Sequence, residues 1–149
     1  MNKFLKFKLD FKQILIAIII VVVVDVLLIL IQYLVLNSKI MPATFSWGTP
    51  IQPIFEEIFC RGLITYFFFI ILKIYNKKLE PKDISLKSKI VYLFINALWF
   101  MIMHLEEPFN YLRFIHGLIF CGLYLYYDYN LVPSITAHIF SNMLMIWWF

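Results

Sequence analysis

Two adjacent carboxylates and a guanidinium stand in "FEEIFCRG", residues 55–62, between the apolar-rich stretches "TPIQPI" and "LITYFFFIIL". Glu57 and Arg61 are four apart, so on a helix they share a face and can neutralise one another, leaving Glu56 as a spare acid. Two further pairs have the same spacing: Phe100 with His104 in "FMIMH", and His138 with Asn142 in "HIFSN". A carboxylate in low-dielectric surroundings holds a proton more tightly, which suits a general base taking one from water near neutral pH. His104 can share that water. His138 and Asn142 can donate hydrogen bonds to a carbonyl oxygen as it becomes an oxyanion, or bind a metal. Together the three clusters make a candidate hydrolytic site. Taken singly each has a plainer reading, since a lone His in an apolar helix commonly bonds a neighbouring helix and a Glu–Arg pair commonly serves structure. The joint pattern carries the weight, because few other polar groups interrupt the apolar runs.

The elements that must position these groups follow from composition. Of 149 residues, 63% are hydrophobic and 15% charged, and the mean hydropathy is +0.86, whereas a soluble domain is nearer half apolar and a quarter charged. The expectation is an integral membrane protein, all-α, built as one small polytopic transmembrane helical bundle. Five apolar runs read as spans: Ile14 to Leu36, Ile51 to Tyr75, Ile90 to Leu105, Phe109 to Tyr127, and Pro133 to Phe149. The first is too long for a signal peptide, and no small-residue cleavage site follows it. Residues 1–13 read as a cytoplasmic tail and 14–149 as the transmembrane domain. The net charge of +4 does not point to nucleic acid, because the lysines cluster between the apolar runs. Cys60 and Cys121 lack paired spacing and read as buried thiols.

Basic residues are enriched in short cytoplasmic segments. The tail carries Lys3, Lys6, Lys8 and Lys12, and the segment after the second span carries Lys73, Lys77, Lys78, Lys82, Lys87 and Lys89. Both are expected inside. The other side receives Lys39 and Arg113 with Glu106 and Glu107, so the N-terminus is cytoplasmic and the C-terminus outside a multi-pass chain in the cell membrane. This topology sets Glu56 and His104 toward the outer side and His138 toward the inner, so they can meet only near mid-depth.

The motifs E-E-x-x-x-R, F-x-x-x-H and H-x-x-x-N, in that order, resemble those of the CAAX protease and bacteriocin-processing family (CPBP, or Abi) of intramembrane proteases, which includes the type II CAAX prenyl endopeptidases. Here they stand as Glu56, Glu57 and Arg61, then Phe100 and His104, then His138 and Asn142. Gly62, Gly117, Gly122 and "NLVPSITAH" look like weaker family features, and the resemblance covers a core of about residues 49–142. It implies hydrolysis of a peptide bond in a membrane-embedded or membrane-associated peptide or protein. Glu56 would activate water with His104, His138 and Asn142 would stabilise the oxyanion, and Glu57 with Arg61 would support the site. Metal-dependent and metal-free catalysis both stay open, since Glu56, His104, His138 and Asn142 could hold zinc or another divalent metal. The family also occurs with bacteriocins, so processing or self-immunity is the biological setting it implies, and a non-catalytic membrane immunity protein is the alternative.

The resemblance is to a minimal version, with one helix before the first motif, and a homo-oligomer would supply packing that longer relatives have internally. Asp25, in mid-span, has no counterpart in the motifs and reads as a helix-contact residue, as do His116, Asn96 and Gln32. Trp147 and Trp148, and "LYLYY" at residues 123–127, read as interfacial aromatics.

Overall fold

The computed structural model describes residues 6–35, 48–75, 80, 83–105 and 111–147. Glu106, Glu107, Lys39, Lys77, Lys78, Lys82 and Trp148, and the side chains of Gln32 and Trp147, lie outside what is described. The described chain is helical: α1 (Phe11–Val35), α2 (Gly48–Glu57), a π-helical turn (Ile58–Leu63), α3 (Ile64–Tyr75), α4 (Leu86–Ile102), α5 (Tyr111–Tyr126) and α6 (Leu131–Trp147). The all-α bundle is therefore the architecture expected. Each of the five apolar runs becomes one helical stretch, the second of them running without a break through α2, the π turn and α3. Phe11–Ile31 and Pro50–Tyr75 are each long and apolar enough to cross a membrane, and Leu112–Tyr126 is a shorter apolar helix.

The β-branched run of α1 is a mediocre helix former in water, but in lipid a backbone must satisfy its own hydrogen bonds and the helix wins. Asp10 starts it, its carboxylate accepting from the backbone N–H of Lys12 at 3.0 Å and of Gln13 at 3.2 Å. Ala17, Val21 and Asp25 are buried at four-residue intervals, whereas Leu15, Ile19, Val23, Leu27 and Leu30 are exposed. One stripe packs on the bundle. The remaining faces are apolar and outward, as lipid contact requires.

The chain before α1 is tied to the start of α6. Lys6 donates its backbone N–H to the Tyr129 carbonyl at 3.2 Å, and Leu131 donates to the Lys6 carbonyl at 2.9 Å. Asn130 adds a side-chain clamp, accepting from the Lys8 N–H at 3.0 Å and donating to the Lys8 carbonyl at 2.8 Å. The connection from α5 to α6 is tight enough to force Asp128 and Tyr129 to positive φ, 53° and 64°. Elsewhere α4 and α5 approach so closely that a Cβ on Gly117 would lie 2.8 Å from the Ala97 Cα. The core that this close packing leaves, Ala17, Val21, Cys60, Phe100, Phe120, Leu123 and Ala137, joins the long stretches. Cys60 and Cys121 are buried free thiols, as expected.

Candidate active site

Glu57 is the hub. Its side chain is fully buried, as is that of Arg61, and Oε2 lies 3.3 Å from Arg61 Nε across one turn. That contact is an ion pair rather than a directed hydrogen bond, since Arg61 Nε and Nη1 have no hydrogen-bond partner. The guanidinium is held by other means. Its carbon sits 4.9 Å from the Phe100 ring centroid and 5.9 Å from that of Phe120, and Nη2 donates to the Gly117 carbonyl at 3.4 Å. Two α6 side chains complete the shell of Glu57: Ser134 donates its hydroxyl to Oε2, and His138 Nδ1 lies 3.1 Å from Oε1.

Those contacts settle the hydrogens on the two imidazoles. A carboxylate paired with Arg61 only accepts, so His138 carries its hydrogen on Nδ1 and, when neutral, leaves a lone pair on Nε2. His104 follows α4, and its Nδ1 lies 2.8 Å from the Phe100 carbonyl, which also only accepts. Its Nε2 therefore also carries the lone pair when the ring is neutral. Both Nε2 atoms turn toward one oxygen, Glu56 Oε2, at 3.8 Å from His104 and 3.6 Å from His138. These separations are too long for direct hydrogen bonds. Glu56 keeps 13% of its side-chain surface exposed and is steadied by Gln52, whose amide donates to Oε1 at 2.5 Å.

Rings fix the imidazole planes. Phe120 stacks on His138 at 4.6 Å between centroids, and Phe100 meets His138 edge-on at 5.4 Å and His104 at 4.6 Å. Phe100 thus serves three members of the centre at once. Asn142, one turn beyond His138 on α6, is half-buried.

Six of the seven motif residues, Glu56, Glu57, Arg61, Phe100, His104 and His138, are thus brought together from α2, the π turn, α4 and α6, despite the depth mismatch expected from topology. Asn142 lies on the His138 side of α6 without a hydrogen bond or ion pair to them. The expected site also gains Ser134, Gln52 and Phe120. The spacing of four that singled out the motifs could have found the first two, since Gln52 precedes Glu56 and Ser134 precedes His138 by that interval. Phe120 had no such signal. Among the described residues, no three His, Cys, Asp or Glu side chains are grouped so as to hold a metal ion.

The molecule thus defined is a membrane protein of helices that gathers a buried carboxylate–imidazole centre from separate segments. A family model described as type II CAAX prenyl endopeptidase Rce1-like matches residues 11–144, and the chain belongs to that family. The matched region takes in α1 as well as all three motifs. Comparison with curated proteins and with solved structures returned no match.

Proposed function

We propose that the chain is an intramembrane endopeptidase in which Glu56 activates the water that attacks a peptide carbonyl. The observation that carries this reading is the convergence of two imidazole Nε2 atoms on one carboxylate oxygen, within 3.8 Å of it. A water held among these atoms would donate its two O–H groups to two of them and keep its oxygen lone pairs for the carbonyl carbon. In the attack the water oxygen bonds to the carbonyl carbon while one of its protons passes to the Glu56–imidazole group. A His138 protonated at Nε2, together with the Asn142 amide, then faces the oxygen that gains charge. Collapse breaks the C–N bond, and the stored proton goes to the leaving amine. Glu57 keeps His138 in the required tautomer, the role an acid partner commonly plays for a catalytic imidazole.

In the membrane, five crossings with the N-terminus inside and the C-terminus outside are the topology that best accommodates this site. The bonds between residues 6–8 and the α5–α6 turn support it, because four crossings separate those segments and they must lie on one side.

The test is cleavage of a prenylated CAAX-type peptide by the chain reconstituted in vesicles. Glu56→Gln keeps size and hydrogen bonding but cannot take a proton, so the rate should fall by ~10²–10⁴ at unchanged abundance. Wild-type cleavage by Glu56→Gln would overturn the reading. Loss of all cleavage on chelation, restored by zinc, would instead put a metal at Glu56, His104, His138 and Asn142. Absence of any cleavage, with protection against a bacteriocin that survives Glu56→Gln, would favour the non-catalytic immunity protein.

A further inference from the structure

The π turn that carries Arg61 changes where the carboxylates point. One added residue in a helical turn rotates everything before it by about 100° relative to everything after it. The C-terminal side of the turn is fixed: α3 buries Thr65 and Phe69, and Phe68 packs on Tyr92 at 5.2 Å between ring centroids. The face that α2 offers to α6, and with it the aim of Glu56 and Glu57, is therefore decided by whether residues 58–63 wind as π or as α.

A π turn leaves backbone acceptors short of donors. The Ile64 N–H bonds the Phe59 carbonyl, whereas an α-helix would send it to Cys60. The Cys60 carbonyl thus loses its ordinary partner in a buried setting. Asn96 of α4 replaces it, donating from Nδ2 at 2.5 Å. The second hydrogen on the same nitrogen goes to the Tyr92 hydroxyl at 3.1 Å. Tyr92 and Thr65 hydroxyls lie 2.5 Å apart, and Thr65 donates to the Arg61 carbonyl. Since Thr65 has spent its hydrogen there, Tyr92 must donate to Thr65. The bonds run in one direction, from Asn96 through Tyr92 and Thr65 to Arg61. Asn96, Tyr92 and Thr65 are all buried, and the Asn96 acceptor Oδ1 has no partner. An amide that leaves its own oxygen unsatisfied is there for its two donors.

We propose that Asn96 is a positioning residue that holds Ile58–Leu63 in the π register and so aims Glu56 and Glu57 at His138. The inference rests on the proteolytic reading for its kinetic consequence and on hydrogen-bond accounting for the rest, so its test has two readouts. In a Cys121→Ser background, Cys60 is the one remaining cysteine, and cysteine carrying a ¹³C carbonyl labels that single acceptor for infrared spectroscopy. Asn96→Leu, close in shape, should move the labelled band to higher frequency. It should also lower kcat on the prenylated peptide by roughly 10- to 100-fold, as misaligned catalytic groups do, with KM within about twofold. Tyr92→Phe keeps the ring and the Cys60 bond; it should leave the band in place and cost kcat a few-fold, and it stands in if Asn96→Leu fails to accumulate. An unmoved band in Asn96→Leu, or a shifted band with wild-type kcat, would overturn the proposal, as would a shifted band in Tyr92→Phe. If the wild-type chain cleaves nothing, the proteolytic reading fails by itself, and the band still decides whether Asn96 caps the turn.

Discussion

Two buried acids sit in this bundle under different regimes. Glu57 is surrounded by several partners: a guanidinium, a hydroxyl and an imidazole, with two aromatic rings against the cation. Among the described residues Asp25 of α1 has one, the Nε2 of His116 on α5 at 2.7 Å, and the far ends of that pair, Asp25 Oδ2 and His116 Nδ1, are buried without hydrogen-bond partners there. A site that must tolerate charge moving during a reaction needs surplus stabilisation around the group that stays ionised. A clasp between helices needs only a bond that is hard to replace. On the proposed reading the contrast separates a centre arranged for chemistry from a pair that docks α1, and it makes different forecasts for what deletion does.

The largest effect is expected at Arg61. Arg61→Ala removes the cation from a carboxylate with no exposed surface, and breaking one partner of a buried pair costs about 3–5 kcal/mol. Membrane abundance and thermal stability should collapse together, and cleavage with them. Glu57→Gln with Arg61→Met, which removes both charges, should recover much of the abundance while leaving His138 without an anion to fix its tautomer. An Arg61→Ala protein that accumulates and cleaves normally would show that the hub has no need of its cation.

Deletion at the clasp should be milder and should cancel. Asp25→Leu strands His116 in a buried position and is expected to cost about 1–3 kcal/mol. Asp25→Leu with His116→Leu leaves no stranded group, so stability should return toward the wild-type value. If the double variant stays folded but loses cleavage by orders of magnitude, the pair belongs to the chemistry and the distinction between hub and clasp fails. That outcome has a physical route, because His116 stacks on Phe120 at 5.8 Å and Phe120 stacks on His138.

The motif residues were legible because a spacing of four fixes one helical face without knowledge of the partner helices. Ionisable groups also stand out in apolar runs, so Glu56, Glu57, Arg61, His104 and His138 could be grouped, and Asp25 read as a helix contact. Partnership was not legible. Nothing local links Asp25 to His116, which lie 91 positions apart, or Ser134 to Glu57, 77 apart. The π turn was hidden for a different reason: "IFCRGL" has no composition that separates π from α, and what holds it is a side chain on another helix. Phe120 looked like any lipid-facing or core aromatic until its ring was found against His138.

The smallest effect sharpens the comparison most. Ser134 has one hydroxyl hydrogen and two acceptors near it, the Glu57 carboxylate and the Phe120 carbonyl at 3.0 Å, and the charged acceptor holds it more strongly. Ser134→Ala therefore removes one of the three partners of Glu57 while Arg61 and His138 remain. If the surplus is real, the loss should stay near that of an ordinary hydrogen bond, about 0.5–1.5 kcal/mol, and cleavage should fall only a few-fold. The measurement is thermal denaturation in detergent beside the cleavage rate. A loss on the scale of Arg61→Ala would mean that Glu57 has no slack, and that the hub is as singly held as the Asp25 clasp. A loss below that of Asp25→Leu places the difference where the geometry puts it: a carboxylate that keeps its cation and an imidazole forgives the loss of a hydroxyl, whereas Asp25 has no second partner to fall back on.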